Sequence, residues 1–370
     1  MSEIEPGATS STHRRAWPAL LSITLIVAAV ALAFAWVAGW LTPGRLTPQR
    51  FTNAIEAGNG QIYRGFRRAH AKGVCVAGYF EGSGKGVALS SAALFAPVRT
   101  PFVGRLSIGG GSPYGLDGKA RVRSMALQLN SADGQQWRMA MNSFPFFAVS
   151  SVQAFYEQTV ANAPDPTTGT PDPAKQAAFA TAHPEFARFA DWAKTAPWST
   201  SWANTTFNGV NAFRFINGSG EIHNVRWSML PQTAFEAMTP EQRATVDSDF
   251  LSEDLQRRLV QAPLRWTMLV IVAQPGDPTS DPSQAWPDYR QHVDVGTVVI
   301  ESSTPQDTGA CRDINYDPLV LPTGVTGSDD PILAARSAVY AVSFNRREHD
   351  IATGKAAAAT GDAKAQGRRP

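Results

Sequence analysis

The sequence predicts an α+β domain behind one N-terminal apolar helix. Three observations carry this. The run from Trp17 to Leu41 contains no charged residue. Beyond it, short alternating apolar runs end at Gly, Pro or Asp-Gly, as paired strands do. Between them lie longer segments opened by Ser, Thr or Asp, some with an early proline, as helices are. The 370 residues, 43% hydrophobic and 17% charged, suit a sizeable core.

Residues 1–16 read as a polar cytoplasmic tail. Residues 17–41, 25 in all, are enough to cross a bilayer with some tilt. Trp17, Trp36 and Trp40 suit its interfaces, and Arg14-Arg15 favour a cytoplasmic N-terminus, though Arg45 and Arg50 weaken the asymmetry. A buried soluble helix would show a polar face, and this run has none. The expectation is a membrane anchor with the large domain on the periplasmic or extracytoplasmic side. Signal cleavage near Ala33-Phe34-Ala35, followed by secretion, is the alternative. The folded domain then spans 42–349, and the Ala, Gly and Lys-rich 350–370 read as a disordered tail.

Within the domain, strands are expected at 74–80, in pieces over 85–108, and at 121–129. Asp133-Gly134 turns the chain into a strand at 135–141. A second pair, 213–216 and 223–229, folds about Asn217–Gly220, and strands at 264–272 and 293–302 follow. Helices are expected at 150–162, 174–182 and 185–194. Thr239-Pro240 opens another, 249–261 continues it, and a last one starts at Ser328–Pro331 and runs through Tyr340.

Thirty-three basic and thirty-one acidic residues give a net charge of +2, which offers no footprint for nucleic acid. Ten Trp and nineteen Phe are mostly core, although a flat apolar cofactor would also use several. Cys75 and Cys311 are the only cysteines, and without a CxxC pair neither a zinc knuckle nor a thioredoxin motif can form. Cys75, in an apolar run, reads as a small core residue, and pairing with Cys311 in an oxidising compartment is the alternative.

The chemistry concentrates in a few segments. Arg336 stands one helical turn before Tyr340, close enough to reach its phenol. A positive charge there favours phenolate, a hard anionic oxygen suited to ferric iron. Upstream lie Arg67-Arg68-Ala69-His70-Ala71-Lys72-Gly73, then Arg105-Leu106-Ser107, then Asn142-Ser143-Phe144-Pro145-Phe146-Phe147. Further on come Asp281–Pro287, Asp317–Pro322, Gly324, Ser328 and Asp330, with Arg347 eleven residues after Arg336. Taken singly, such a histidine is usually structural, such arginines solvated and such phenylalanines core. In this order and spacing the chain resembles the haem catalases, in particular their short catalase-related peroxidases, patchily from about Phe51 to Arg347.

The resemblance implies a closed antiparallel β-barrel with surrounding helices and a haem b cofactor. It makes His70 the catalytic acid–base group, Asn142 the donor that holds peroxide, and Ser107 the partner of His70's second nitrogen. It makes Tyr340 the axial ligand to the haem iron beside Arg336. Arg67, Arg105 and Arg347 would bind the propionates, Phe147 would stack near the haem plane, and Phe155 would line the approach. Ala69 replaces the usual valine, which widens the distal pocket and favours organic reductants or larger peroxides. The long N-terminal arm of large catalases is missing, which argues against a tetramer and leaves a homodimer open. The C-terminal helical region is missing too, so no NADPH is expected.

The expected function is a haem peroxidase reducing hydrogen peroxide, and organic peroxides alongside it, with a small organic reductant and some catalase activity. Two alternatives stay open. One is a fatty-acid or lipid hydroperoxide peroxidase or isomerase. The other is a non-catalytic, membrane-tethered barrel that binds haem or another apolar ligand.

Overall fold

The computed structural model describes residues 13–42 and 44–355. The ends of both expected tails, 1–12 and 356–370, lie outside the described residues. The chain divides into two compact units between Arg50 and Phe51. In the first, helix α1 spans His13–Val37, so it begins within the segment expected as tail. Its Trp17–Val37 stretch is long and apolar enough to cross a membrane or to act as a signal sequence. The helix stops short of Leu41 because Gly39 takes a left-handed φ of 80°. Gly39 N–H then donates to Trp36 O at 3.0 Å and Trp40 N–H to Ala35 O at 2.9 Å, a glycine-ended C-cap. Helix α2 is Pro48–Gly58.

The second unit is organised by eight strands: β1 Gly73–Gly82, β2 Arg99–Ile108, β3 Arg123–Asn130, β4 Gln136–Asn142, β5 Phe207–Ile216, β6 Ile222–Pro231, β7 Leu264–Val272 and β8 Gln291–Pro305. Each pairs antiparallel with the next, and β8 pairs back with β1. The sheet therefore closes on itself, which removes the exposed edges of an open sheet. A period of two sends alternate residues inward. On β7, Leu264, Trp266, Met268, Val270 and Val272 are buried in the barrel with Met125, Leu127 and Leu129 of β3. Trp137 and Trp227 meet edge-on at 5.3 Å among them.

Helices α3 (Val152–Ala161), α4 (Pro173–Ala182) and α5 (Phe186–Thr195) contribute to a separate aromatic cluster around Phe144 and Phe147. Helices α6 (Pro240–Thr245) and α7 (Phe250–Gln261) follow, and the Thr239–Gln242 capping box opens α6 as its sequence suggests. Helix α8 is Pro331–Ala352, capped by Asp330, whose carboxylate accepts from Ile332 N at 2.9 Å.

Four expectations need correction. The 85–108 region holds one long strand after two short turns of 3-10 helix, because its Gly and Pro punctuation breaks up the first half. Strand β5 starts at Phe207. Its Asn208-Gly209 and Asn211 look turn-like, but Gly209 is needed where the Trp227 ring comes within 2.7 Å of a would-be Cβ. Helix α8 runs on to Ala352, because Asp350 is buried and ion-paired rather than part of a loose tail. Lastly, Cys75 and Cys311 form a disulfide, packed with Tyr316 in a third cluster.

Candidate active site

The ten residues to which the resemblance gives a role at the site all line one cavity of about 360 Å³, set among the barrel wall, α8 and the loop before β1. The Asp281–Pro287 and Asp317–Pro322 segments, Gly324, Ser328 and Asp330 lie outside it. That loop carries Arg67 and His70. His70 has φ 53°, the only left-handed residue other than glycine among the described residues. Such a conformation costs energy and persists only when its surroundings impose it. They do so here. Arg68 donates to Glu56 at 2.6 Å and to Asp350 at 2.8 Å, and Gly65 N–H donates to Asp350 at 3.2 Å. Beyond His70, Ala71 N–H donates to Gly110 O at 3.0 Å, and Lys72 pairs with Asp117 at 2.8 Å.

Burial lowers the His70 pKa to about 4, helped by Arg105, Arg336 and Arg67, while a bond to the Ile108 backbone works the other way. The ring is therefore neutral at physiological pH, as a base must be. Its Nδ1 is met by a serine hydroxyl at 3.1 Å, but the serine is Ser124 on β3, not Ser107. Ser107 lies one strand nearer β1, directly opposite Ser124. Ser124 also donates to Asn142 Oδ1 at 2.6 Å. The polar row continues along the sheet. Ser107, Ser124, Asn142, Asn208 and Ser228 face one another in register on β2 to β6. Directly opposed residues share a sheet face, so the row is one polar stripe on a wall whose other face is the apolar core.

Tyr340 comes from α8. Arg336, one turn earlier, does not spend its guanidinium on the phenol. Its end nitrogens donate to Asn211 Oδ1 and to Ala140 O, the latter at 3.1 Å. Asn211 in turn donates to Asp330 at 2.6 Å. The guanidinium carbon ends 6.0 Å from the Tyr340 ring centroid. The expected direct pair is thus a charge held over the ring by the barrel wall.

Three further arginines gather at the cavity. Arg67 donates to Cys311 O at 3.0 Å and Ile314 O at 2.8 Å. Arg105 donates to Ala71 O at 3.1 Å and Gln306 at 2.5 Å, and its Nε is buried without a partner. A side chain on Gly73 would strike the Arg105 guanidinium at 2.8 Å, so this glycine makes room for it. Arg347 meets Glu348 at 3.0 Å. Burial, then the mutual repulsion of the cations, pulls Arg67 well below the usual arginine value; burial lowers Arg105 to about 10. Neither Arg67 nor Arg105 has a carboxylate among these partners. Crowded, half-satisfied guanidinium groups suit a ligand carrying two carboxylates. Phe147 and Phe155 meet edge-on at 4.9 Å and supply an apolar wall. A haem, flat and apolar with two propionates, fits these residues.

Sequence reasoning missed Ser124, Asn211, Gln306 and the clamp formed by Arg68, Glu56 and Asp350. Ser124 was within reach. Counting back from the Asp133-Gly134 turn, with Asn130 opposite Gln136, places Ser124 opposite Asn142. The others are brought in by contacts across long stretches of chain, which no local pattern marks.

Fold and site together define a closed antiparallel barrel with a tyrosine-bearing helix and an arginine-ringed cavity. The chain belongs to the catalase family, whose model matches residues 65–349, and within it to the short catalase-related forms. It is 37% identical over 338 residues to a "Catalase-related peroxidase" of Synechococcus elongatus, covering 91% of this chain and 99% of that protein. A second "Catalase-related peroxidase", from Mycolicibacterium paratuberculosis, is 32% identical, over 82% of this chain and 96% of that one. Among solved structures, a fungal catalase superposes with a TM-score of 0.69 at 19% identity, over 76% of this chain and 59% of that one. At such identity the likeness speaks for the fold alone.

Proposed function

We infer that this chain is a haem b-dependent peroxidase that reduces hydrogen peroxide, and organic peroxides alongside it, with a small organic donor. Some catalase activity accompanies it. One observation carries this reading: a neutral histidine, an amide and a tyrosine line the same arginine-ringed cavity. Tyr340 would hold the iron, and Arg67, Arg105 and Arg347 the propionates. When bound, haem supplies the redox-active iron at which the peroxide O–O bond breaks. His70 takes the proton from one peroxide oxygen and returns it to the other. Asn142 orients the peroxide by donating from its amide. Phe147 and Phe155 keep bulk water out of the approach.

The N-terminal helix is proposed as a membrane anchor with the domain on the extracytoplasmic side. A buried disulfide supports that side, because such bonds persist in oxidising compartments. Release after signal cleavage would place the domain in the same environment.

The test is the absorption spectrum of the purified protein loaded with haem. A ferric Soret band that bleaches on peroxide and recovers with an organic donor is expected in the wild type. Tyr340→Phe should keep its far-UV circular dichroism but lose that band's position or intensity. A folded protein that never takes up haem would remove the reading. A lipid hydroperoxide turned over in preference to hydrogen peroxide would move it to the lipid alternative. Activity unchanged in His70→Ala would remove the catalytic role of that residue.

A further inference from the structure

The geometry points to Ser124 as the positioning residue that sets the working state of His70 and Asn142 together. This deepens, and rests on, the peroxidase reading above. Ser124 Oγ stands 3.1 Å from His70 Nδ1 and 2.6 Å from Asn142 Oδ1. A serine hydroxyl has one proton to give. The shorter contact meets an amide oxygen, which only accepts, so the proton goes there. The one hydrogen of the neutral ring then belongs on Nδ1, where it donates to Ser124 and is shared with the Ile108 backbone that also bonds the ring.

Two consequences follow from that single proton. Nε2 keeps its lone pair, the form in which imidazole can accept a proton from peroxide. Asn142 is held by its oxygen, so its Nδ2 hydrogens turn away from Ser124, free to donate in the cavity that Asn142 lines. The reverse arrangement inverts both groups at once. Were Ser124 to donate to Nδ1 and accept from the flipped amide, Nε2 would be protonated and Asn142 would offer an acceptor. Base and donor therefore switch as a pair, and the serine between them holds the switch. The barrel braces the outer member, since Asn208 Nδ2 donates to the Asn142 backbone carbonyl at 3.4 Å while Asn208 Oδ1 accepts from Ser228 Oγ at 2.7 Å. Ser107, the serine expected from sequence, sits beside this chain and not within it.

The experiment uses the full chain in detergent, labelled with [15N]histidine and loaded with diamagnetic zinc protoporphyrin. Ring-nitrogen shifts report the tautomer, and His70→Gln identifies the His70 signals among the six histidines. The expected wild-type form is Nδ1–H. Ser124→Ala should shift the tautomer ratio about tenfold towards Nε2–H, the consequence of losing one hydrogen bond. Ser124→Thr, which keeps the hydroxyl, should restore the wild-type form, and Ser107→Ala should not disturb it. Ser124→Cys, a second variant with a weak acceptor, should shift in the same direction as Ser124→Ala. Cyanide, which gives up a proton on binding ferric haem, should associate about tenfold more slowly with haem-loaded Ser124→Ala than with Ser124→Thr. A wild-type ring protonated at Nε2, an unchanged tautomer in Ser124→Ala and Ser124→Cys, or a shift in Ser107→Ala instead would overturn the proposal. Failure to take up either porphyrin would remove the haem reading, while the same spectra would still judge Ser124.

Discussion

Replacing Cys75 and Cys311 together with serine tests both the fold and the compartment. The two residues are 236 positions apart. Closing a loop of that length removes roughly 18 cal/mol/K of chain entropy from the unfolded state, or about 5 kcal/mol at 25 °C, as a ceiling. Measured losses commonly fall nearer 2–4 kcal/mol, and that range is expected here. The effect should not stop at stability. Cys311 O and Ile314 O accept from Arg67, and Tyr316 packs on the disulfide with its ring centroid 5.9 Å from the Arg67 guanidinium. Freeing this loop releases an arginine at the rim of the cavity. Urea unfolding of the full chain, oxidised and with dithiothreitol, reads the first effect, and haem affinity of the double variant reads the second. A midpoint unmoved by reduction, or two titratable thiols in the protein as isolated from an oxidising compartment, would refute the reasoning.

Protonation of His70 should track a pKa near 4 and not the usual 6.5, so the acid limb of the peroxide reaction should fall near pH 4 in a stopped-flow profile. The same depression makes the unfolded chain bind the proton first. Stability should therefore decline as pH falls from about 6.5 to about 4, by about 3 kcal/mol for 2.5 pKa units of a buried ring, and less in His70→Gln when urea midpoints are compared. Asn142→Ala should slow the peroxide reaction about 10²-fold with haem binding retained, because an oriented donor and not a haem contact is lost. Asp350→Ala leaves Gly65 N–H without its acceptor and Arg68 with the Glu56 carboxylate alone, and should cost about 1–3 kcal/mol in urea unfolding; a loss under about 1 kcal/mol would show that Glu56 alone holds the loop.

Strands whose alternation is uninterrupted were legible to the residue. Leu264–Val272 needs only its period of two, and the helix start at Pro331 only its Asp and Pro. Where polar groups face a buried site, the same rules misread. Asn208, Gly209 and Asn211 form a strand because their partners lie far along the chain: Ser228 and the Trp227 ring on the next strand for the first two, Asp330 and Arg336 at the start of α8 for the last. The partner of Cys75 was no easier, since a residue in an apolar strand gives no sign of a loop returning from position 311. The residues that line the cavity were picked out by their order along the chain, yet their hydrogen bonds were not. Spacing brings Arg336 near Tyr340, but Asn211, which holds it, is 125 positions away.

Why His70 can sit at φ 53° follows from what joins the two halves of the site outside the cavity. Glu56 accepts from Arg68 at 2.6 Å through one oxygen and from Arg346 at 2.6 Å through the other. Asp350, one helical turn after Arg346, takes Arg68 again and Gly65 N–H. The loop that bears His70 is thereby tied at two points to the helix that bears Tyr340. These pairs are largely buried, so their cost of desolvation is met only when every member is in place, and removing one leaves a charge stranded. Such an arrangement has little room to relax. A backbone conformation costing a few kcal/mol can survive beside it. The spacing between the histidine and the tyrosine is then a property of the clamp rather than of either segment alone.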